Sequence, residues 1–399
     1  MGEFALVVDD IVAARGRLAP FLPVTPLYEA GGLSAEFGRS ILCKWDNQLR
    51  SGAFKERGAL NFLLNLGADA LARGVCAASA GNHALALSMH AARLKAPCHL
   101  VMPVAAPLVK VERCRRLGAL ITQIGTLNEC LGYASELAKR EGLAYVHPYD
   151  DALIVAGQGV AGLEALDQCA DFDSVVIPVG GGGYAAGVAM AIKASRPDVF
   201  ILGVCSEWAE RMRAKPPGDG VVPMTIADGI AVKTLGKITK PILDSLVDRV
   251  VAVSEEAIAR AVVLVLEQEH AVVEGAAAAG VAALLEGLLP ERCKRPLLFM
   301  CGSNIDTNIL SRLIEHSMAE RGRLLRVRIT LPDRPGMLHQ ISGVIARGGA
   351  NVLQVMHDRS YAKAPGHVDI TVMMEVRDRE HAKQVVAELE ANGLPTEIV

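Results

Sequence analysis

Aromatic residues are scarce in this chain, with eight Phe, six Tyr and two Trp in 399 residues, while alanine and glycine are plentiful. That balance suits helices packed closely on a sheet. Excess charge is also lacking: the formal net charge is −3. No basic stripe argues for nucleic acid, and no polybasic cluster argues for a membrane surface. There is no Cys-x-x-Cys and no zinc-type ligand spacing. The nine cysteines are an odd number, scattered along a chain too long to be a disulfide scaffold, and they suit a reducing cytoplasm. Asp9 and Asp10 lie near the start, with no basic region ahead of an apolar core, so a signal peptide is not expected. Ser174 to Ile192 carries no charge and is long enough to suggest a membrane helix, but Pro178 and four glycines sit inside it. A strand, a turn and a helix explain those residues better.

Half of the chain is hydrophobic, which is enough for a large core, and the length allows two or three domains. Apolar strand-like runs at Val75–Ala78, Cys98–Met102, Leu120–Ile124, Val175–Val179, Val199–Cys205 and Leu297–Cys301 alternate with helical stretches. Such alternation predicts α/β architecture with parallel sheets and crossover helices.

Three short segments carry chemistry. In Ser51-Gly52-Ala53-Phe54-Lys55, a lysine follows a small-residue turn that opens an apolar helix, after the strand-like run Ile41–Trp45. Lys55 falls in the first helical turn, where the positive end of the helix dipole disfavours its charged form. An easily neutral amine is what Schiff-base chemistry needs. The segment alone also fits a solvated lysine on a helix. Ser79-Ala80-Gly81-Asn82-His83 follows a strand and precedes a helix. It is either an ordinary connecting turn or a carboxylate site made of free backbone N–H groups, with Asn82 and His83 adding side-chain hydrogen bonds. Gly180-Gly181-Gly182-Gly183 follows Pro178-Val179 and precedes a helix starting near Tyr184. Four glycines let the backbone wrap an anion against a helix N-terminus.

Ser-x-x-Phe-Lys, Ser-x-Gly-Asn-His, the glycine run and Gly302-Ser303-Asn304-Ile305-Asp306 occur in that order. With Ile154–Gly159, Thr225–Gly229 and Val273-Glu274-Gly275 between them, the chain resembles the threonine/serine dehydratase family over roughly residues 20 to 315. Those are pyridoxal-phosphate enzymes of the tryptophan-synthase-β fold, fold type II. The resemblance implies a catalytic domain over 1–320, a smaller subdomain of about 50–150 nested in it, and the cofactor between the two. It implies that Lys55 binds pyridoxal 5′-phosphate covalently and takes the substrate α-proton. Phe54 would pack by the ring, and the backbone of Gly180 to Tyr184 would bind the phosphate. Asn82 would bond the ring hydroxyl, and the turn Ser79, Ala80, Gly81, Asn82, His83 would hold the substrate carboxylate. The implied products are 2-oxobutyrate or pyruvate and ammonia.

Three positions depart from that family's pattern. Cys301 stands where serine usually meets the pyridine nitrogen, and a thiol is the weaker donor. Glu56 follows the lysine, though neighbours i and i+1 do not face each other on a helix. Arg213 stands where the metal-binding branch keeps an acid, so no divalent metal is expected. Racemases of the family carry serine where this chain has Ala80, which holds no exchangeable proton, so elimination is expected over racemisation.

The pattern changes after residue 316. His316 to Arg323 reads as a charged, glycine-broken linker. Beyond it come an alternating strand from Leu325 to Leu331, the turn Asp333-Arg334-Pro335-Gly336, a helix through Ile345, strands at Val352–Met356 and Val368–Val376, a helix at Glu380–Leu389 and a strand at Thr396–Val399. The order βαββαβ is a ferredoxin-like sandwich, and with Asp-Arg-Pro-Gly it resembles an ACT domain over 324–399. The resemblance implies an amino-acid site at a subunit interface, bordered by Asp333, Arg334, Pro335, Gly336 and Asn351. A branched-chain amino acid is the expected ligand, in a homodimer or homotetramer; the alternative is a module that only dimerises. Two other readings stand beside the dehydratase. Gly181 to Ala186 fits Gly-x-Gly-x-x-Ala, with Glu207 after a second strand, as in nicotinamide oxidoreductases. A non-catalytic amino-acid sensor would keep the fold and lose the chemistry.

Overall fold

The computed structural model describes residues 4–214, 225–359 and 366–399, with the side chains of 211–214 outside the described set. The chain divides into two compact units, residues 1–305 and 306–399.

The first unit holds two sheets. One has six strands in the spatial order Leu27–Glu29, Leu42–Lys44, Pro296–Phe299, Ser174–Pro178, Phe200–Ser206, Arg249–Val253. All are parallel except the short first strand, which pairs antiparallel with Leu42–Lys44. The other is fully parallel, ordered Leu120–Gln123, Cys98–Met102, Val75–Ala78, Ala144–Tyr145. Strands such as Val75–Ala78 and Ser174–Pro178 are buried at every residue, as continuous apolar runs in helix-covered parallel sheets require.

This topology positions the site. Leu42–Lys44, Pro296–Phe299 and Ser174–Pro178 are parallel neighbours, so their carboxyl ends open side by side. They lead to Asp46–Lys55, to Cys301–Asn304 and to the glycine run. Val75–Ala78 of the second sheet leads to Ser79–His83. Crevices at the carboxyl ends of parallel strands are where open α/β sheets bind ligands.

The uncharged run Ser174–Ile192 is a strand, a glycine turn and the helix Gly183–Ser195. No helix among the described residues is long and apolar enough to cross a membrane. The alanine and glycine content is used where helices meet. Ala152–Gln168 packs on Gly183–Ser195 with almost no side-chain layer between them. A Cβ at Gly187 would stand 2.4 Å from the Val155 carbonyl oxygen, and one at Gly159 would stand 2.8 Å from the Gly187 carbonyl oxygen.

The second unit is an antiparallel sheet ordered Asn351–Asp358, His367–Glu375, Leu324–Pro332, Thr396–Ile398, with helices Met337–Arg347 and Arg379–Ala391. Its core is the alternate residues Leu325, Val327, Ile329, Leu331 and Val368, Ile370, Val372, Met374. One expectation fails here. His316–Glu320 is not linker but the last turns of the helix Thr307–Glu320. Leu313 and Ser317, one turn apart, are buried, and the charges between them lie on the outer face. The helix stops just before Gly322, whose φ of +70° is left-handed.

The glycine-to-glycine helix contact makes a stability prediction. In Gly187→Ala the added methyl meets backbone that has no rotamer to yield, so stability should fall by about 1–3 kcal/mol. Thermal melting of the variant beside the parent checks this, and an unchanged melt contradicts the close approach.

Candidate active site

Lys55 opens the helix Lys55–Leu64, as its place after a small-residue turn predicts. Its Nζ donates to the Pro148 carbonyl at 2.7 Å and lies 5.0 Å from the centre of the Phe54 ring. Burial pulls the amine down to about 8, while the nearby Glu274 carboxyl opposes the fall. Burial is the chief cause of its readiness to be neutral. Glu56 turns away from it: it accepts from the Ser51 backbone N–H and pairs with His90 Nε2 at 3.1 Å on the helix Asn82–Arg93.

The segments flagged in the sequence meet at Lys55. Ala53 bridges to Gly302 in a short antiparallel contact, and the Phe54 N–H donates to the Cys301 carbonyl at 3.0 Å. Asn304 Nδ2 donates to the Ser51 carbonyl at 2.8 Å and to Asn82 Oδ1 at 2.9 Å, tying the lysine segment to the Ser79–His83 turn. Tyr184, just after the glycine run, sets its ring 4.1 Å from that of Phe54.

Within the Ser79–His83 turn, the Gly81 N–H donates to Ser79 Oγ at 3.2 Å, and the helix begins at Asn82. Asn82 Nδ2 donates to both oxygens of Glu274, at 2.8 and 3.1 Å. His83 behaves differently from its neighbours. Its imidazole is buried, its Nε2 lies 3.2 Å from the Val146 carbonyl, and burial with the nearby Lys55 charge pushes it down to about 3. It is a neutral core group, and only its backbone belongs to the turn.

The glycine run is a tight cradle. Gly182 has φ +94° and begins the helix Gly183–Ser195, whose first N–H groups have no acceptor inside the helix. A Cβ on Gly181 would stand 2.3 Å from the Tyr149 ring. Thr239 Oγ1 donates to the Gly181 carbonyl at 2.7 Å, fixing the turn from behind.

Cys301 is buried, and burial, then the Glu274 charge, pushes its thiol well above the usual range. It is therefore a protonated, neutral donor. Among the described residues, no group of three His, Cys, Asp or Glu side chains could hold a metal ion. The side chain of Arg213 lies outside the described residues.

Sequence reasoning missed three parts. Glu274 is a buried carboxyl under Gly302, raised to about 7 by burial and the Asp228 charge, against the hydrogen bonds of Asn82. As a lone acid ahead of the uncharged helix Gly275–Leu285, it had a signal. The segment His147–Asp151 supplies the Pro148 carbonyl, the Tyr149 ring and Asp150, which accepts from the N–H groups of Lys237 and Ile238. Behind the lysine helix lies a buried charge network. Arg57 grips Asp46 (2.8 and 3.1 Å) and Glu164 (2.7 and 2.8 Å), and Lys44 Nζ donates to Glu164 at 2.7 Å.

In the second unit, Asp333–Gly336 and Asn351 lie apart. Pro332 pairs with His367 at one end of the sheet, while Asn351 and Leu324 both face Glu375 at the other. The nine-residue strand between them spans roughly 25–30 Å. Gly336 has φ +93° and caps the helix Met337–Arg347.

A model of the family "Pyridoxal-phosphate dependent enzyme" matches residues 18–302, and an ACT domain model matches residues 325–393. The L-threonine ammonia-lyase of Thermotoga maritima is 38% identical, over 99% of this chain and 100% of that relative. Among solved structures, maize serine racemase superposes with a TM-score of 0.72 at 30% identity, over 79% of this chain and 99% of that one. The processed form of threonine deaminase isoform 2 from Solanum lycopersicum gives 0.71 at 32%, over 77% and 86%. On the family match and the near full-length relative, this chain belongs to the pyridoxal-phosphate-dependent enzymes and carries an ACT domain after its catalytic part.

Proposed function

We propose that this chain eliminates water from L-threonine, and from L-serine, releasing 2-oxobutyrate or pyruvate and ammonia. The observation that carries the reading is the Lys55 amine, brought down to about 8 between Phe54, Glu274 and Cys301, with the glycine cradle one aromatic contact away. The near full-length relatives named L-threonine ammonia-lyase support the choice of substrate.

The groups present fit pyridoxal phosphate. An amine that is readily neutral suits its carbonyl carbon, and a glycine turn that tolerates no Cβ, at a helix N-terminus, suits its phosphate. When bound, pyridoxal phosphate supplies an electron sink for the charge that develops at the substrate α-carbon. Lys55 Nζ would be the nucleophile that holds the cofactor and the base that takes the substrate α-proton. The first N–H groups of the helix Asn82–Arg93 hold the substrate carboxylate. Asn82, anchored by Glu274 and Asn304, would orient the ring, Phe54 would pack by it, and the Gly180–Tyr184 backbone would hold the phosphate. The Cys301 thiol would serve the pyridine nitrogen as a neutral donor. The product leaves as an enamine, which tautomerises to an imine and hydrolyses to the 2-oxo acid and ammonia.

Lys55→Ala should abolish 2-oxobutyrate formation while the fold survives, and the parent should form pyruvate from L-serine faster than D-serine. Near-normal turnover by a folded Lys55→Ala protein, or D-serine as the main product, sinks the reading. The pH dependence has a defined sign. Lys55 is protonated below about 8 and neutral above it, and only the neutral amine attaches cofactor. Stopped-flow reconstitution of cofactor-free protein should therefore accelerate with pH and level off above about 8. A rate that climbs without a break to pH 10 would indicate an ordinary lysine.

The ACT domain is proposed to bind a branched-chain amino acid, isoleucine first, between two copies of the chain in a cytoplasmic homodimer or homotetramer. Asp333–Gly336 and Asn351 lie at opposite ends of one sheet, so a shared site needs a second copy. The strand Asn351–Asp358 is a sheet edge with Leu353, Val355 and Met356 exposed, which suits such pairing. A ligand that prefers one enzyme state must shift the threonine dependence, and the coupling must be reciprocal. Calorimetry and threonine kinetics with isoleucine and valine on the full chain test this. Neither binding nor a kinetic change with either amino acid would leave the domain a dimerisation module.

A further inference from the structure

Tyr184 does more in this structure than present a backbone amide. It is the second residue of the helix Gly183–Ser195, directly after the glycine cradle, and its side chain is buried. Its hydroxyl donates to Asp46 Oδ2 at 2.8 Å. Thr25 Oγ1 (2.6 Å) and Arg57 Nη2 (2.8 Å) donate to Asp46 Oδ1, and Arg57 Nε (3.1 Å) donates to Oδ2. An ionised carboxylate offers about four acceptor sites, and these four donors fill them. Arg57 lies two residues after Lys55 in the same helix, and Phe54 lies one residue before it. The Tyr184 ring sits 4.1 Å from Phe54 and meets Phe299 edge-on at 5.7 Å. One side chain, rooted at the phosphate end of the site, thus meets the lysine segment directly at Phe54 and, through the shared Asp46 carboxylate, at Arg57.

We propose that Tyr184 is a positioning residue: its hydroxyl bond to Asp46 and its ring contact with Phe54 fix the glycine cradle relative to Lys55, so that pyridoxal phosphate is held at both ends at once. The inference rests on the reading that Lys55 and Gly180–Gly183 bind that cofactor. A leucine or phenylalanine would fill the volume without the polar grip. A buried hydroxyl on a charged acceptor is among the stronger hydrogen bonds, and its loss leaves a lone pair of a buried carboxylate unfilled.

The test compares the parent with Tyr184→Phe and Tyr184→Leu, each stripped of cofactor and titrated with pyridoxal phosphate. Removing the hydroxyl alone should raise the cofactor Kd by roughly fivefold or more. It should shift the pH midpoint of the bound-cofactor absorbance and lower kcat, while KM for threonine stays within about twofold of the parent. Tyr184→Leu, which loses the ring contact as well, should raise the Kd further. A Tyr184→Phe protein with the parent's Kd, absorbance midpoint and kcat overturns the proposal, even if it melts earlier, because only stability would then depend on the hydroxyl. A Tyr184→Leu protein no worse than Tyr184→Phe overturns the ring contact. Borohydride reduction of the loaded parent, followed by peptide mass analysis, separates the two levels. Cofactor missing from Lys55 there defeats the underlying reading and this inference together, whereas cofactor on Lys55 with unaltered variants defeats this inference alone.

Discussion

The buried charges of Lys44, Asp46, Arg57 and Glu164 are the constraint around which the catalytic unit is arranged. All four are almost fully withdrawn from water, and their charges sum to zero. An unpaired charge at such depth is far too costly, and breaking a buried pair by removing one partner typically costs 3–5 kcal/mol. The chain must therefore deliver all the partners together. They come from the strand Leu42–Lys44, the turn after it, the helix Lys55–Leu64 and the helix Ala152–Gln168. Arg57 is two residues from Lys55, about 200° around the helix. The face opposite Lys55 is the one nailed to the core. Burial would lift the Asp46 carboxyl, but the Arg57 charge and its hydrogen bonds outweigh that and hold it below the usual carboxylate range.

Close helix packing is what lets those partners reach one another. A Cβ on Gly157 would stand 2.6 Å from the Arg57 carbonyl oxygen and 2.8 Å from the Gly58 Cα, so the helices Lys55–Leu64 and Ala152–Gln168 touch backbone to backbone. At that separation the guanidinium of Arg57 spans to Glu164 directly. The small-residue composition and the charge network are two sides of one design: glycines bring the backbones together, and long charged side chains lock them. Three of the few aromatics sit where rigidity matters, with Phe54 tilted against Tyr184 and Tyr184 edge-on to Phe299 beside the lysine segment.

What the sequence made legible was local. Lys55 opens a helix, four glycines form a turn at a helix start, and Ser79–His83 links a strand to a helix, because each depends on neighbours a few residues away. The alternating strands and helices of 324–399 were legible for the same reason, with ends displaced by a residue or two. The charge network was not, since Thr25, Asp46, Arg57, Glu164 and Tyr184 are up to 159 positions apart and each alone reads as an ordinary polar residue. His83 misled because residue type does not say which way an imidazole turns, and here the core took it. The supposed linker at His316–Glu320 misled because charge on the outer face of a helix resembles charge in a loop.

The electrostatics at Lys55 rest on burial and on Glu274, with Cys301 neutral beside them. Burial lowers the lysine, and the nearby Glu274 carboxyl restrains the fall, so the amine rests at about 8. Glu274 rises to near 7 in the same pocket. A buried thiol that stays protonated carries no charge into that balance and still offers a donor, though a weaker one than a serine hydroxyl. In the role proposed for it, the amine has to be neutral to bond a carbonyl carbon and to accept a proton, and it has to give that proton up again before the next turn. A value near 8 serves both demands at physiological pH, and a fully desolvated lysine with no acid nearby would serve only the first.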